Sequence, residues 1–200
     1  MPPKAKVTKE DLVRTAAEII REEGEEALNA RAVAAKLGVS TQPVFSNYKT
    51  MQELREDVTA YVQERFEQCL RENMAQAGTD MEKRNYPPYK ASGMAYIRFA
   101  AEEKQWFKFL FMRNRGGENP GFQSETDQEI LKLIRKNTGL SKEEAELLHF
   151  EMWVCVHGLG VMAATSYFEP EEELVSRVLT DVYQGVKSQY CRKGQDETDN

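Results

Sequence analysis

Residues 31–50 read RAVAAKLGVSTQPVFSNYKT, and this stretch decides how the rest of the chain is interpreted. Its spacing predicts two short helices joined by one tight turn, with residues 31–37 forming the first helix and Gly38 supplying the sharp exit. Asn29 is placed to cap the free N–H groups of the first helix, and Ser40 to cap the second. We interpret this pair of helices as a helix-turn-helix.

The apolar residues of this stretch have the spacing to form one small core between the helices; they are Val33, Leu37, Val39, Val44 and Tyr48. Packing them inward leaves amide and hydroxyl side chains facing outward beside basic residues, the combination that reads base edges and phosphates in a DNA groove. The predicted DNA contacts are Arg31, Lys36, Ser40, Thr41, Gln42, Pro43, Phe45, Ser46, Asn47, Tyr48 and Lys49. Spacing alone also fits a helical hairpin with a solvated polar face, because such hairpins are common in all-α proteins.

Residues 8–55 resemble the tetracycline-repressor (TetR) family of transcriptional regulators. The likeness comprises an amphipathic first helix, then ALNARAVAAKLGVSTQPVFSNY, then TMQELRED opening a long helix. The aromatic pair Phe45 and Tyr48 behind the GVS triplet is quite specific to that family. Met51 departs from the family pattern, which usually has lysine there, and Lys49 is the candidate replacement for that phosphate contact. The resemblance implies a homodimer that binds a palindromic operator in double-stranded DNA. The second helix of each helix-turn-helix would enter the major groove.

The charge distribution is compatible with this prediction although the whole chain is acidic. The net charge is −6 and the pI about 5.2, which argues against a general nucleic-acid coat. Residues 1–50 hold eight Lys/Arg against seven Asp/Glu, whereas residues 51–200 hold nineteen against twenty-six. Contact with phosphates depends on local charge. The near-neutral N-terminal head (residues 1–50), whose basic side chains are grouped around the helix-turn-helix, is therefore suited to DNA.

Cysteine usage and hydropathy favour a cytoplasmic protein that has no membrane partner. Cys69, Cys155 and Cys191 are odd in number, widely separated and without metal-site spacing, which fits a reducing compartment. The N-terminal residues contain no apolar segment that could act as a signal peptide. Residues 152–168 are uncharged, but this run is shorter than the ~20 apolar residues of a spanning helix. A buried helix is therefore expected there.

Helical periodicity extends over nearly the whole chain and predicts an all-α protein of about nine helices. A three-helix DNA-binding domain with a short basic arm (Lys4 and Lys6) is expected over residues 1–50, and a helical effector-binding and dimerisation domain over 51–193. Residues 194–200 are expected to be a disordered tail. Helices are predicted to open at Thr8, Thr50 and Ser141, to cover residues 89–104, 141–167 and 170–192, and to leave a flexible loop at 116–121.

Beyond residue 55 the resemblance is weaker. Trp153-x-x-x-His157-Gly158 resembles an effector-domain subgroup of the same family that is marked by Trp, His and Gly. The subgroup implies that the last two helices form a four-helix bundle with a second subunit, with small residues (Gly158, Gly160, Ala163 and Ala164) allowing close approach. It also implies a cavity for a mainly apolar small-molecule effector. The candidate lining residues are Met94, Tyr96, Phe99, Trp106, Phe109, Met112, Met152, Trp153, His157 and Met162.

Plain hydrophobic core is the alternative for each of these side chains, since methionine and aromatic residues fill cores as readily as they line pockets. In the pocket interpretation Tyr96 and His157 are the polar groups that orient the ligand. The chain could also be a helical ligand-binding or scaffold protein whose head no longer binds DNA. Met51 and the acidic total support that alternative.

Catalysis and cofactors are not expected. The Glu146-x-x-His149 pair recurs nowhere else in the sequence, so it supplies half of a di-iron site at most. His149 and His157 would lie about 12 Å apart along one helix, too far to share a metal ion. Gly158-Leu-Gly160 lacks the third glycine and the preceding strand of a phosphate-binding loop.

Overall fold

The computed structural model describes residues 7–77, 86–116 and 122–196, and within these ranges it consists of nine α-helices and one short 3₁₀ turn, without a strand. The all-α prediction with about nine helices is confirmed. The helices are α1 (Lys9–Glu23), α2 (Ala30–Leu37), α3 (Gln42–Asn47), α4 (Met51–Gln76), α5 (Pro88–Glu102), α6 (Lys104–Phe111), α7 (Glu125–Thr138), α8 (Lys142–Ala164) and α9 (Glu172–Asp196).

Side-chain caps define where several of these helices begin. Capping boxes open α1 at Thr8 with Asp11 and α8 at Ser141 with Glu144, as the sequence predicts. A third box, Ser124 with Asp127, opens α7 and was not predicted. At α4 half of the predicted box forms: the Glu53 N–H donates to the Thr50 hydroxyl at 3.2 Å, while the Glu53 carboxylate accepts from the Lys49 N–H at 2.8 Å.

The chain divides into two compact units. Unit 1 comprises the described residues of Met1–Phe66 together with Glu103–Asn114, and unit 2 comprises those of Glu67–Glu102 and Arg115–Asn200. The boundary predicted after residue 50 separates a DNA-binding domain from an effector-binding and dimerisation domain. It is defined by function and stays a prediction.

Unit 1 contains α1, α2, α3, the first half of α4, and α6, which returns to pack on α1. The very apolar segment QWFKFLF forms α6 and buries Trp106, Phe107 and Phe109. The Trp106 indole N–H donates to the Ala17 carbonyl at 2.8 Å, and the Arg21 guanidinium lies 5.3 Å from the centre of the same ring. Arg21 also binds the Glu103 carboxylate, with Nε 2.6 Å from Oε2. These contacts fix α6 against α1.

Unit 2 is built around α8, which packs against α5, α7 and α9. Within the described part of the chain, α8 is the one helix long and apolar enough to cross a membrane by length and composition. Packing accounts for part of that apolarity, because Leu148, Met152, Val156 and Ala163 are buried in unit 2.

Some boundaries differ from those predicted. The helix expected over residues 89–104 ends at Glu102, because Glu103 leaves helical geometry and binds Arg21 in unit 1. The α8 helix ends at Ala164, before a left-handed turn at Ser166 with φ 58°. The α9 helix continues to Asp196 and so overlaps the tail expected to be disordered. The arm residues Lys4 and Lys6, and most of the loop at 116–121, lie outside the described residues.

Replacing Asn29 with alanine should lower the free energy of unfolding by about 1 kcal/mol, because the first N–H groups of α2 lose their acceptor. Urea denaturation measures this change. Asn137→Ala, at an exposed position in the last turn of α7, is the matched control and should stay within about 0.5 kcal/mol of the parent protein. Equal losses in the two variants would show that the Asn29 side chain does not stabilise α2.

Candidate nucleic-acid interface and effector site

The first helix of the predicted helix-turn-helix begins and ends as its sequence indicates. The Asn29 Oδ1 atom accepts hydrogen bonds from the Arg31 N–H at 3.1 Å and the Ala32 N–H at 3.0 Å. Gly38 ends α2 in the left-handed region, with φ 67°, a conformation that a residue with a Cβ atom rarely adopts. The chain therefore turns sharply at Gly38 and enters α3 within a few residues.

The predicted cap of the second helix is wrong. Thr41, not Ser40, occupies the N-cap position of α3, and its backbone carbonyl accepts from the Val44 and Phe45 N–H groups at 3.1 and 3.3 Å. Pro43 lies in the first turn, where a missing N–H breaks no helical hydrogen bond. The helix therefore begins one residue later than the sequence suggests.

Two buried side chains attach α3 to the rest of unit 1. Val44 is fully buried and Tyr48 is 3% exposed. The Tyr48 hydroxyl donates to Asp57 Oδ2 at 2.8 Å, and the Lys9 ammonium lies 4.7 Å from the centre of the tyrosine ring. Burial and the Asp57 carboxylate raise the pKa of Tyr48, so its hydroxyl keeps the proton that it donates.

The small core predicted between the helices therefore forms, with Val33, Val44 and Tyr48 buried and Leu37 and Val39 half-buried. The Tyr48 ring is used in this packing, and its predicted role as a DNA contact stays a prediction.

The opposite side of α3 is open to solvent. Gln42, Phe45 and Ser46 are exposed, and the Phe45 side chain is the largest of these, at 57% exposure. Asn47 is half-buried and its Nδ2 donates to the Pro43 carbonyl at 2.8 Å, so part of its amide is used within the helix. Thr41, another of the predicted DNA contacts, is half-buried. The α3 helix thus presents one amide, one hydroxyl and one aromatic ring outward.

Three exposed basic residues accompany this face: Arg31, Lys36 and Lys49. The Lys36 ammonium binds the Glu22 carboxylate of α1. A surface ion pair of this kind contributes at most ~1 kcal/mol, so a phosphate group can replace the carboxylate. Met51 is half-buried at the first position of α4, immediately after the Lys49–Thr50 corner.

The predicted effector-lining residues do not form one site within either unit. Trp106, Phe109 and Met112 belong to unit 1, where Trp106 and Phe109 are core residues and Met112 is exposed. The Trp106 indole N–H donates to the Ala17 carbonyl, so this side chain contributes to the packing of α6 on α1, and its predicted contact with an effector stays a prediction. The other candidates lie in unit 2: Met94, Tyr96, Phe99, Met152, Trp153, His157 and Met162.

Within unit 2 the two polar candidates are in direct contact. The Tyr96 hydroxyl lies 2.8 Å from His157 Nδ1, and the Trp153 ring stacks on His157 with a centroid distance of 4.7 Å and an interplanar angle of 15°. Burial, and to a smaller extent the positive charge of Arg115, lower the pKa of His157. Burial raises the pKa of Tyr96, so at neutral pH both groups are uncharged. Arg115 was not predicted, because its position after α6 carries no periodic signal.

The second histidine has a similar partner in a drier environment. His149 is buried, its Nδ1 lies 3.1 Å from the Tyr89 hydroxyl, and the Phe122 ring centroid is 4.3 Å away. Burial lowers the pKa of His149 to about 4. In the part of the chain that the structure describes, no three His, Cys, Asp or Glu residues are grouped to hold a metal ion.

The buried His149 should make stability pH-dependent. Its pKa is about 4 in the folded protein and 6.5 when unperturbed, so between these values the unfolded chain binds one more proton. The free energy of unfolding should therefore decrease as the pH falls through this window, by on the order of 3 kcal/mol at its acid end.

Urea denaturation of the protein and of His149→Gln, from about pH 7.5 to pH 5, measures this effect. The difference in unfolding free energy between the two proteins should become smaller as the pH falls. The carboxylates are the same in both proteins, so their contribution to the pH dependence cancels and that of His149 remains. His157→Gln at the half-buried position is the matched control and should show a smaller trend. A difference that does not change with pH would contradict the assignment.

Comparison with known proteins identifies the fold. Neither a protein-family profile nor a curated protein matches the chain. Among solved structures, a protein from Pseudomonas aeruginosa PAO1 assigned as a transcriptional regulator is similar, with a TM-score of 0.63, 14% identity and 92% of each chain covered. A protein from Vibrio parahaemolyticus assigned to the TetR family of transcriptional regulators has a TM-score of 0.58, with 14% identity, and covers 88% of this chain and 96% of its own.

A protein of unknown function from Rhodococcus sp. RHA1 has a TM-score of 0.63 and 15% identity, with 94% of this chain and 97% of that chain covered. The chain therefore shares, over nearly its whole length, the all-α fold of proteins assigned as transcriptional regulators.

Proposed function

We propose that the protein is a TetR-like DNA-binding transcriptional regulator that inserts α3 into the major groove. The observation that carries the proposal is the outward face of α3, which combines Gln42, Phe45 and Ser46 on a helix attached by Val44 and Tyr48. A rigid helix with polar groups directed away from its core is the form that groove readout requires. The fold shared with proteins assigned as regulators supports the same proposal.

Direct readout through hydrogen bonds falls to two residues in this proposal. The Gln42 amide can make paired hydrogen bonds to adenine, and the Arg31 guanidinium can reach guanine from the helix that precedes the turn. Lys36 and Lys49 contact phosphates, as do the arm residues Lys4 and Lys6. These contacts position the protein without selecting sequence.

We further propose that two copies of the chain associate through α8 and α9, as the family resemblance implies. Leu147, Phe150 and Val154 lie on one side of α8 and are each about half exposed, and Gly158 continues the row with open space beside its backbone. On α9 the apolar residues at 174, 178 and 182 recur every four positions, and none of the three is fully buried. An apolar stripe of this length is unfavourable in water and is covered when an identical helix pair packs on it.

An effector site in unit 2 completes the proposal. Tyr96, Trp153 and His157 provide two neutral hydrogen-bonding groups beside an indole ring, which suits a small and mainly apolar molecule. Such a molecule would release the operator if it favoured a conformation in which the two heads of the dimer no longer match both half-sites. The protein would then be a repressor.

The first test is selection from random double-stranded DNA, which separates a regulator from a scaffold whose head no longer binds DNA. Gln42→Ala should weaken binding to the selected site about tenfold, because an adenine loses its paired hydrogen bonds. Lys49→Ala is the matched comparison: it should weaken binding to all sequences alike and reduce the salt slope by about one. If Gln42→Ala binds the selected site as the parent protein does, the Gln42 side chain does not read sequence.

Val154→Arg should convert a dimer into a monomer at micromolar concentration, because the new charge would be buried against its symmetry mate. Sedimentation velocity measures the mass. Asn137→Arg, which places the same charge on the exposed face of α7, should leave the mass unchanged. A parent protein that is already monomeric at this concentration would rule out the bundle.

A further inference from the structure

We propose that Phe45 is a specificity-determining residue that recognises the 5-methyl group of thymine in the major groove. This inference rests on the proposed function and names the class of base pair that α3 reads. It predicts that the half-site contains A·T pairs opposite the centre of α3.

The exposure of Phe45 is unexplained by folding. Its neighbour Val44 and the residue three positions on, Tyr48, hold α3 in place and are both buried, whereas the Phe45 ring is 57% exposed. An aromatic ring that is more than half exposed on a six-residue helix adds little to the core of unit 1. Contact with an apolar surface in a complex would remove the ring from water, and the gain in free energy grows with the area covered.

The neighbours of Phe45 indicate that the covering surface is DNA. Gln42 and Ser46 are exposed on the same short helix, and the exposed basic residues Arg31 and Lys49 lie nearby in the helix-turn-helix region. A protein partner would be expected to meet a wider apolar patch around such a ring. In the major groove the thymine methyl is the apolar group that a base pair presents, and phenylalanine is among the side chains that contact it.

The spacing of Gln42 and Phe45 determines how far apart the base pairs that they contact can be. Residues three positions apart on a helix lie side by side, with Cβ atoms about 5–6 Å apart. Successive bases are about 3.4 Å apart along one strand. With Gln42 bound to an adenine, Phe45 lies over the same or an adjoining base pair, where a thymine methyl group is within its reach.

The test uses a duplex obtained by selecting random DNA with the parent protein. Each thymine of the half-sites is replaced in turn by deoxyuridine, which removes the methyl group and leaves base pairing and all hydrogen-bonding groups intact. At one position or two adjoining positions the parent protein should lose about fourfold in affinity, the value of one buried methyl group. Phe45→Ala should bind the thymine duplex more weakly and should be indifferent to the same replacement.

Two further variants make the result specific. Phe45→Tyr keeps the ring and should keep the sensitivity to deoxyuridine. Gln42→Ala should bind more weakly yet still lose the same factor when the methyl group is removed, because the two contacts are separate. Since Phe45 is exposed, Phe45→Ala should melt at the temperature of the parent protein, which a thermal scan checks.

The outcomes are distinguishable. If the parent protein selects a DNA site but no thymine-to-deoxyuridine change weakens binding, the inference is overturned and the proposed function stands. The inference also fails if Phe45→Ala loses the same factor as the parent protein, or if it binds the duplex with parental affinity, which would point to a protein partner for the ring. If the parent protein selects no DNA at all, the proposed function and the inference fall together.

Discussion

The hydrogen bond between the Tyr48 hydroxyl and Asp57 is the contact on which the candidate interface depends. A helix of six residues, such as α3, is unstable in water by itself, because few hydrogen bonds offset the cost of fixing its backbone. Its position must come from tertiary contacts. Val44 supplies one buried contact, while Tyr48 joins the end of α3 to α4 by a bond that carries charge on its acceptor side. The outward direction of Gln42, Phe45 and Ser46 follows from these two attachments.

Local chemistry explains why this part of the fold was predictable from sequence. Asn29, Gly38 and Pro43 each constrain the backbone within a few residues of themselves, and apolar spacing identified Val33, Val44 and Tyr48 as the core. The mistake in the same region is also local. Ser40 and Thr41 are both suitable caps, and the residue that ends up at the N-cap is decided by how α3 packs.

Which of the candidate effector residues lie together could not be predicted from the sequence. Periodicity identified apolar helices, but it could not say that Trp106 packs on α1 in unit 1 while Trp153 lies in unit 2. That division arises because the chain leaves α5 at Glu102 and rejoins α1 through Glu103 and Arg21, a contact between residues 82 positions apart. The Tyr96–His157 contact is different: both residues were chosen as polar groups, and the structure places them together.

The two histidines occupy the same arrangement in different surroundings. Tyr89 and Tyr96 on α5 face His149 and His157 on α8, so two tyrosine–histidine pairs follow one another along the same helix interface. Seven residues separate the tyrosines and eight separate the histidines, close to two helical turns in each case, so the two helices run in parallel at a fixed register.

The Tyr89–His149 pair is buried beside Phe122, and its neutral imidazole makes it a packing element. The Tyr96–His157 pair is half-open, stacks on Trp153 and feels the charge of Arg115. The effector site proposed for unit 2 contains this second pair, and both pairs join α5 to α8.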